Sequence, residues 1–246
     1  MTFSDDEIER YARHLVLAEV GGPGQQRLKA ARVGLIGLGG VGAPAALYLA
    51  AAGIGALRLI DDDAVALSNL QRQIAFDTAD IGRPKVEAGA ATLTALNPHV
   101  RIEPVAERLS DANAARLIEG CDVVIDGTDD FATRFVVNVA CVAARTPLVS
   151  GALGRWSGQV GVFTGRPCYR CLVPAAPPEA ETCARVGVIG ALAGVVGSMA
   201  ALEAIKLITG AGQPLAGRLL IYDGLAGAAR TVAVAADPDC PVCAPV

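Results

Sequence analysis

The residues able to do chemistry fall into two groups. The first is a glycine-rich turn with acids and cations spaced behind it. Gly37-Leu38-Gly39-Gly40-Val41-Gly42 fits G-x-G-x-x-G, follows a short apolar run and opens an Ala-rich segment. Glycines there remove Cβ atoms, so a phosphate can approach backbone N–H groups at a helix N-terminus. Asp61 follows about twenty residues on, where a carboxylate can accept hydrogen bonds from ribose hydroxyls. Together these say nucleotide, and alone they would favour NAD. The segment Ser68-Asn69-Leu70-Gln71-Arg72-Gln73 and then Lys85 add two cations, Arg72 and Lys85. Hydride transfer requires no such pair, whereas transfer at a phosphate must hold negative charge while a leaving group departs. Arginine offers phosphate a planar fork and lysine a point charge. Asp129 ends another apolar run. A carboxylate facing phosphates would repel them, and makes sense there if it holds a magnesium ion that bridges to phosphate.

The second group is made of cysteines, seven in all. Cys168-x-x-Cys171 and Cys240-x-x-Cys243 can each place two thiolates on one metal, and the two pairs together would make a tetrahedral zinc site. Redox pairs or idle thiols are the alternative reading. Cys183 follows a Pro-rich loop and precedes Arg185, a setting that favours an accessible thiolate. Cys121 and Cys141 sit among apolar residues and read as packing. His14 and His99 stand alone and receive no role.

Positioning these groups requires strands that end where the motifs begin. Ser4 and Glu7 form an S-x-x-E capping box, so a helix should start near Asp5 and carry Arg10 and Arg13 on one face. Strands are predicted at 32–36, 57–60, 100–105, 123–125 and 147–150. Between them helices are expected from Gly42 to Ala52, from Pro84 to about Asn97, from Asp111 to Ile118 and from Phe131 to Ala144. Five alternations imply a parallel sheet covered by helices on both faces. After Gly151 the pattern changes. Residues 158–164 and 165–173 read as an antiparallel pair, 186–202 as a buried helix, and 218–222 and 230–235 as late strands. Gly190, Gly194 and Ser198, four apart, would let another backbone come close. The expected class is therefore α/β, a Rossmann-like mostly parallel sheet with an appended C-terminal antiparallel lobe bearing a zinc site.

The 246 residues are 52% hydrophobic and 19% charged, which excludes a disordered chain. A net charge of −4, from 25 acids against 21 bases, disfavours nucleic-acid binding, and few aromatics offer no stacking platform. The uncharged stretches 33–57 and 186–202 could be mistaken for membrane spans, but their glycines argue for a turn and a buried helix, so no membrane role is expected. The polar, acidic start from Met1 to Tyr11 lacks a leader pattern, and the expected compartment is cytoplasmic.

Arg10-Tyr11-Ala12-Arg13, the glycine turn, Asn69-Leu70-Gln71-Arg72-Gln73, Arg83-Pro84-Lys85-Val86-Glu87 and Thr128-Asp129 resemble, in order and spacing, the MoeB/ThiF/HesA family of bacterial relatives of ubiquitin-activating enzymes. The resemblance runs from about Asp6 to Cys243. It implies a single adenylating domain over 1–246: a nucleotide-binding half to about 150, then an antiparallel half for zinc, carrier and dimer contacts. It implies an adenylyltransferase that uses ATP and magnesium to activate the C-terminal Gly-Gly carboxylate of a small ubiquitin-like sulfur-carrier protein. The acyl-adenylate then reacts with sulfur from a separate donor. Carried over by position, Gly40, Asp61, Ser68, Asn69, Arg72, Gln73, Lys85, Asp129 and Asp130 would contact the nucleotide. Within that set Asp61 would hold ribose, Asn69, Arg72 and Lys85 the phosphates, and Asp129 the magnesium. Arg13 would reach the active site of the other subunit of a homodimer. The four paired cysteines would hold the zinc, and Cys183 is a candidate for covalent linkage to the carrier. The family usually has Asn where this chain has Asp130, a change expected to have modest consequences. The pathway stays open among molybdopterin, thiamine and tRNA thiolation. An NAD-dependent oxidoreductase and a zinc-bearing scaffold without activity are the competing readings.

Overall fold

The computed structural model describes residues 2–177 and 187–244. In chain order the elements are α1 (Asp5–Arg10), α2 (Ala12–Leu15), α3 (Gly21–Ala30), β1 (Arg32–Ile36), α4 (Gly42–Ala52), β2 (Ala56–Ile60), α5 (Lys85–Leu96), β3 (Arg101–Val105), α6 (Ala114–Ile118) and β4 (Val123–Asp126). They continue with α7 (Phe131–Ala144), β5 (Leu148–Gly154), β6 (Ser157–Phe163), α8 (Tyr169–Leu172), α9 (Gly190–Thr209), β7 (Arg218–Asp223) and β8 (Ala228–Ala233). One eight-stranded sheet runs β3-β2-β1-β4-β5-β6-β7-β8. Strands β3 to β5 are parallel, and β5 to β8 antiparallel.

Alternation along the central strands sends side chains to two different cores. Leu35 pairs with Leu59 and Ile125, and all three join one core with Leu49 of α4, Leu93 of α5 and Val196 of α9. Ile36 and Val124 face the opposite way, towards Leu117 of α6, Val137 of α7 and Tyr169 of α8. Near-continuous burial of β1, β2 and β4 follows from having helices on both faces.

Several expectations need correction. Residues 165–173 are no strand. Gly165 at φ +118 and Pro167 end the β6 run, and Tyr169–Leu172 turns into a short helix that holds Cys168 and Cys171 on one knuckle. Strand β6 pairs instead with β5 and β7. The antiparallel strands are also no appended lobe. They extend the same sheet, and Val160 and Val162 of β6 share a core with Val33 of β1. The first helix stops at Arg10, where Tyr11 breaks it to plug the core, so Arg13 lies on α2 and shares no helix with Arg10. Pro84 caps α5 from outside, and Asn113 does the same for α6, which begins at Ala114. Helix α3, for which no element was predicted, opens on Gly21-Gly22-Pro23-Gly24, residues of low helix propensity.

Helix α9 is the one described helix long and apolar enough to cross a membrane. Here it packs by close backbone approach. A Cβ on Gly197 would lie 2.4 Å from Pro44 of α4, and one on Gly190 would lie 2.0 Å from the Gln71 carbonyl. Gly194, expected to serve this purpose, faces open space.

Candidate active site

Strand order reverses between β1 and β4, so loops leaving their carboxyl ends diverge and open a crevice. The glycine turn leaves β1 there. Gly37 takes φ +83, and a Cβ on Gly42 would sit 1.9 Å from the Gly37 carbonyl oxygen, so the turn closes only with glycine at that position. The resulting cleft has a volume of about 560 Å³.

Most of the sequence-derived candidates converge on it. Gly40, Asp61, Asn69, Arg72, Gln73, Lys85, Asp129 and Asp130 all line the cleft. Ser68 does not. It is exposed, and its carbonyl accepts a 2.9 Å hydrogen bond from the Arg72 guanidinium. Arg13 is exposed on α2 and lies outside this cleft. Cys183 lies outside the described residues.

Lys85 is buried at the start of α5, with Nζ 2.6 Å from Asp63 and 3.8 Å from Asp61. Asp61 pins the glycine turn, because its carboxylate accepts the Leu38 N–H at 2.7 Å and the Asp63 N–H at 2.9 Å. Burial pushes its pKa above the ordinary value, with Lys85 and the two N–H groups pulling the other way. Lys85 is therefore held by two carboxylates at the cleft wall, and an arriving phosphate would compete with Asp63, the exposed one. Asn69 uses its carboxamide oxygen to accept from the Ala66 N–H at 3.0 Å, which folds the turn that carries Arg72. The Gln73 carboxamide oxygen is buried in the cleft wall and has no hydrogen-bond partner.

The loop after β4 supplies the opposite wall. Asp129 is exposed to the cleft, whereas Asp130 caps α7 by accepting the Thr133 N–H at 2.8 Å. Asn caps a helix about as well as Asp, which gives a physical reason for the exchange to be tolerated. An exposed carboxylate in the same cleft as Lys85 and Arg72 suits a hard divalent cation.

Sequence reading missed Arg134, Asp126 and Tyr169. Arg134 is buried beneath the loop and donates to Ser150 Oγ (3.0 Å) and the carbonyls of Thr128 and Gly151. It also lies 3.9 Å from the Asp126 carboxylate. Arg134 is the one charged residue in the Phe131–Ala144 stretch, and that was the available signal.

Away from the cleft, the Sγ atoms of Cys168, Cys171, Cys240 and Cys243 all lie within 4.8 Å of one another. Two of the separations are 3.7 and 3.4 Å. Four thiolates around tetrahedral zinc, each at about 2.3 Å, would stand roughly 3.8 Å apart, so the set fits such an ion. Burial pushes Cys168 and Cys243 up, while N–H groups of Val242 and Cys243 bring Cys240 down to about 7 against its own burial. A cation is what would let all four ionise together. The remaining described cysteines pack as expected, with burial raising Cys121 to about 11 and Cys141 further.

The chain is 46% identical over 248 residues to the SAMP-activating enzyme E1 of Haloferax volcanii, covering 99% of this chain and 92% of the relative. It is 46% identical over 243 residues to the molybdopterin-synthase adenylyltransferase of Escherichia coli, covering 98% of each. The crystal structure of E. coli MccB with MccA-N7isoASN shares the fold at a TM-score of 0.86 and 23% identity, over 99% of this chain and 76% of that one. The oxidoreductase reading finds no support among these relatives. The ThiF family profile matches residues 11–242, and the chain belongs to the ThiF family.

Proposed function

We propose that this protein adenylates the C-terminal Gly-Gly carboxylate of a small ubiquitin-like sulfur-carrier protein. The carrying observation is the convergence of Lys85, Arg72, Gln73 and Asp129 on one cleft with Gly39 and Gly40 of the glycine turn. The carrier's carboxylate oxygen attacks the α-phosphorus of ATP, the bond to the β-phosphate oxygen breaks, and pyrophosphate leaves with the electron pair. Arg72 and Lys85 hold the charge that builds on the phosphate oxygens, and Lys85 exchanges Asp63 for phosphate as it does so. A magnesium ion at Asp129 would supply neutralising charge between the phosphates. Asp61 holds the ribose and the turn together, and sulfur from a separate donor later displaces AMP from the acyl-adenylate.

Zinc on the four cysteines would tie the C-terminal segment to the α8 knuckle. Asp237 already donates its N–H to Cys171 Sγ at 3.4 Å. A homodimer in which Arg13 serves the neighbour's cleft accounts for an exposed arginine outside its own. The outward faces of α4 and α9, where Tyr48 and Leu202 are more than half exposed, offer apolar surface for such contact.

The test is to mix the purified protein with ATP and candidate carriers ending in Gly-Gly. Pyrophosphate release that requires the tail is expected, and pyrophosphate release unchanged when the last glycine is removed would refute the proposal.

A further inference from the structure

The α8 knuckle stands between two features that nothing so far connects, the four-cysteine cluster and the nucleotide cleft. Tyr169 lies between Cys168 and Cys171 in sequence, and it lines the cleft from beneath while 3% exposed. Its ring centroid is 5.9 Å from the Arg134 guanidinium carbon. Two further rings fix its orientation: Phe163 meets it edge-on at 5.7 Å and 88°, and Phe135 lies 6.2 Å away. The backbone is fixed as well, because the Tyr169 N–H donates to Asn138 Oδ1 at 2.8 Å. The Nδ2 of that same Asn138 donates to Cys168 Sγ at 3.5 Å. Asn138 and Arg134 stand one helical turn apart on α7 and so present one face to the knuckle.

We propose that Tyr169 is a positioning residue, which holds Arg134 under the loop from Gly127 to Asp130 and so links the cysteine cluster to the magnesium-facing side of the nucleotide site. Arg134 holds the carbonyls of both Thr128 and Gly151, and it lies beside the buried Asp126 carboxylate, whose Oδ2 has no hydrogen-bond partner. The fork needs a fixed plane to hold both carbonyls. The ring below the desolvated guanidinium supplies packing and attraction, and the Tyr169 hydroxyl oxygen adds an acceptor for it. Moving Arg134 would release the loop that carries Asp129, while the glycine turn and Lys85 on the other wall would keep their geometry. The inference rests on the ATP-binding reading above.

The experiment measures binding of the α,β-methylene analogue of ATP by calorimetry, with and without magnesium, for the full-length protein and its Tyr169→Phe and Tyr169→Leu variants. Zinc content and unfolding midpoint are recorded alongside. With magnesium, the leucine variant should bind about tenfold more weakly and the phenylalanine variant no more than about threefold, at unchanged zinc content. Without magnesium all three should bind alike. Should the leucine variant not fold, Tyr169→Met carries the same expectation. Wild-type affinity in the leucine or methionine variant, or a loss of equal size with and without magnesium, would overturn the proposal. Failure of the wild-type protein to bind the analogue at all would count instead against ATP as substrate.

Discussion

Replacing Lys85 with methionine should cost the folded protein about 4 kcal/mol at neutral pH, and the cost should depend on pH. Lys85 and Asp61 have side chains only 6% and 8% exposed, with charged atoms 3.8 Å apart. At an effective dielectric of about 20 their attraction is about 4 kcal/mol. Methionine keeps the volume and removes the charge, which leaves Asp61 buried beside Asp63. The carboxylate then stays ionised without its cation or takes up a proton. Neutralising a carboxyl of ordinary pKa costs about 4 kcal/mol at pH 7 and about 1.5 kcal/mol at pH 5. Losing the contact to Asp63, itself 67% exposed, adds no more than about 1 kcal/mol. Burial already raises the Asp61 pKa against the pull of Lys85, so removing Lys85 raises it further. A carboxyl whose folded pKa is raised binds extra protons in the folded state. Stability is therefore lost as pH climbs from the unfolded pKa towards the folded one, and the deficit is level above that. Urea denaturation of wild-type protein and Lys85→Met at pH 5 and pH 7 should show a gap that widens with pH. No gap at pH 7, or equal gaps at both values, would refute the coupling of these two residues.

Asp130→Asn should leave the unfolding midpoint within about 1 °C and magnesium–ATP affinity within about threefold, since either side chain can accept the Thr133 N–H. Asp130→Ala should lower stability by about 1 kcal/mol, read by urea titration. Gly42→Ala should abolish nucleotide binding by calorimetry, because its methyl group would meet the Gly37 carbonyl at 1.9 Å and force the turn open. Cys240→Ser should strip zinc from a preparation that otherwise carries about one ion per chain, and limited proteolysis should then cut near residues 237–244, where little apolar surface anchors the chain. Arg13→Ala and Lys85→Met, each inactive alone, should recover about a quarter of wild-type activity when mixed, because half the dimers would then hold one intact site.

The glycine turn, Asp61, Arg72, Lys85 and Asp129 were legible in sequence because each follows a strand end at a distance the α/β topology imposes. The zinc-type spacing of the cysteines was legible for a similar reason, since a C-x-x-C knuckle is local. What could not be read depended on neighbours distant in sequence. Arg134 looked like one cation in an apolar helix until β5 brought Ser150 and Gly151 against it. Asp63 carries no signal of its own in the sequence, since its hold on Lys85 exists only once α5 folds back onto the loop after β2. In the stretch from Gly165 to Val173 the breakers Gly165 and Pro167 were outweighed in the reading by the residues after them, and the knuckle they begin brings Cys168 and Cys171 to Cys240 and Cys243. Tyr169 fell in that misread stretch, so its position under the cleft was invisible.

The most direct measurement is isotope exchange between pyrophosphate and ATP. The account predicts exchange that begins only when a carrier with an intact Gly-Gly terminus is present and that disappears in Asp129→Ala. Exchange running without the carrier would mean that a group other than the Gly-Gly carboxylate attacks the α-phosphorus, and ADP formed with the carrier while no exchange occurs would mean that attack falls elsewhere on ATP; either result would contradict it.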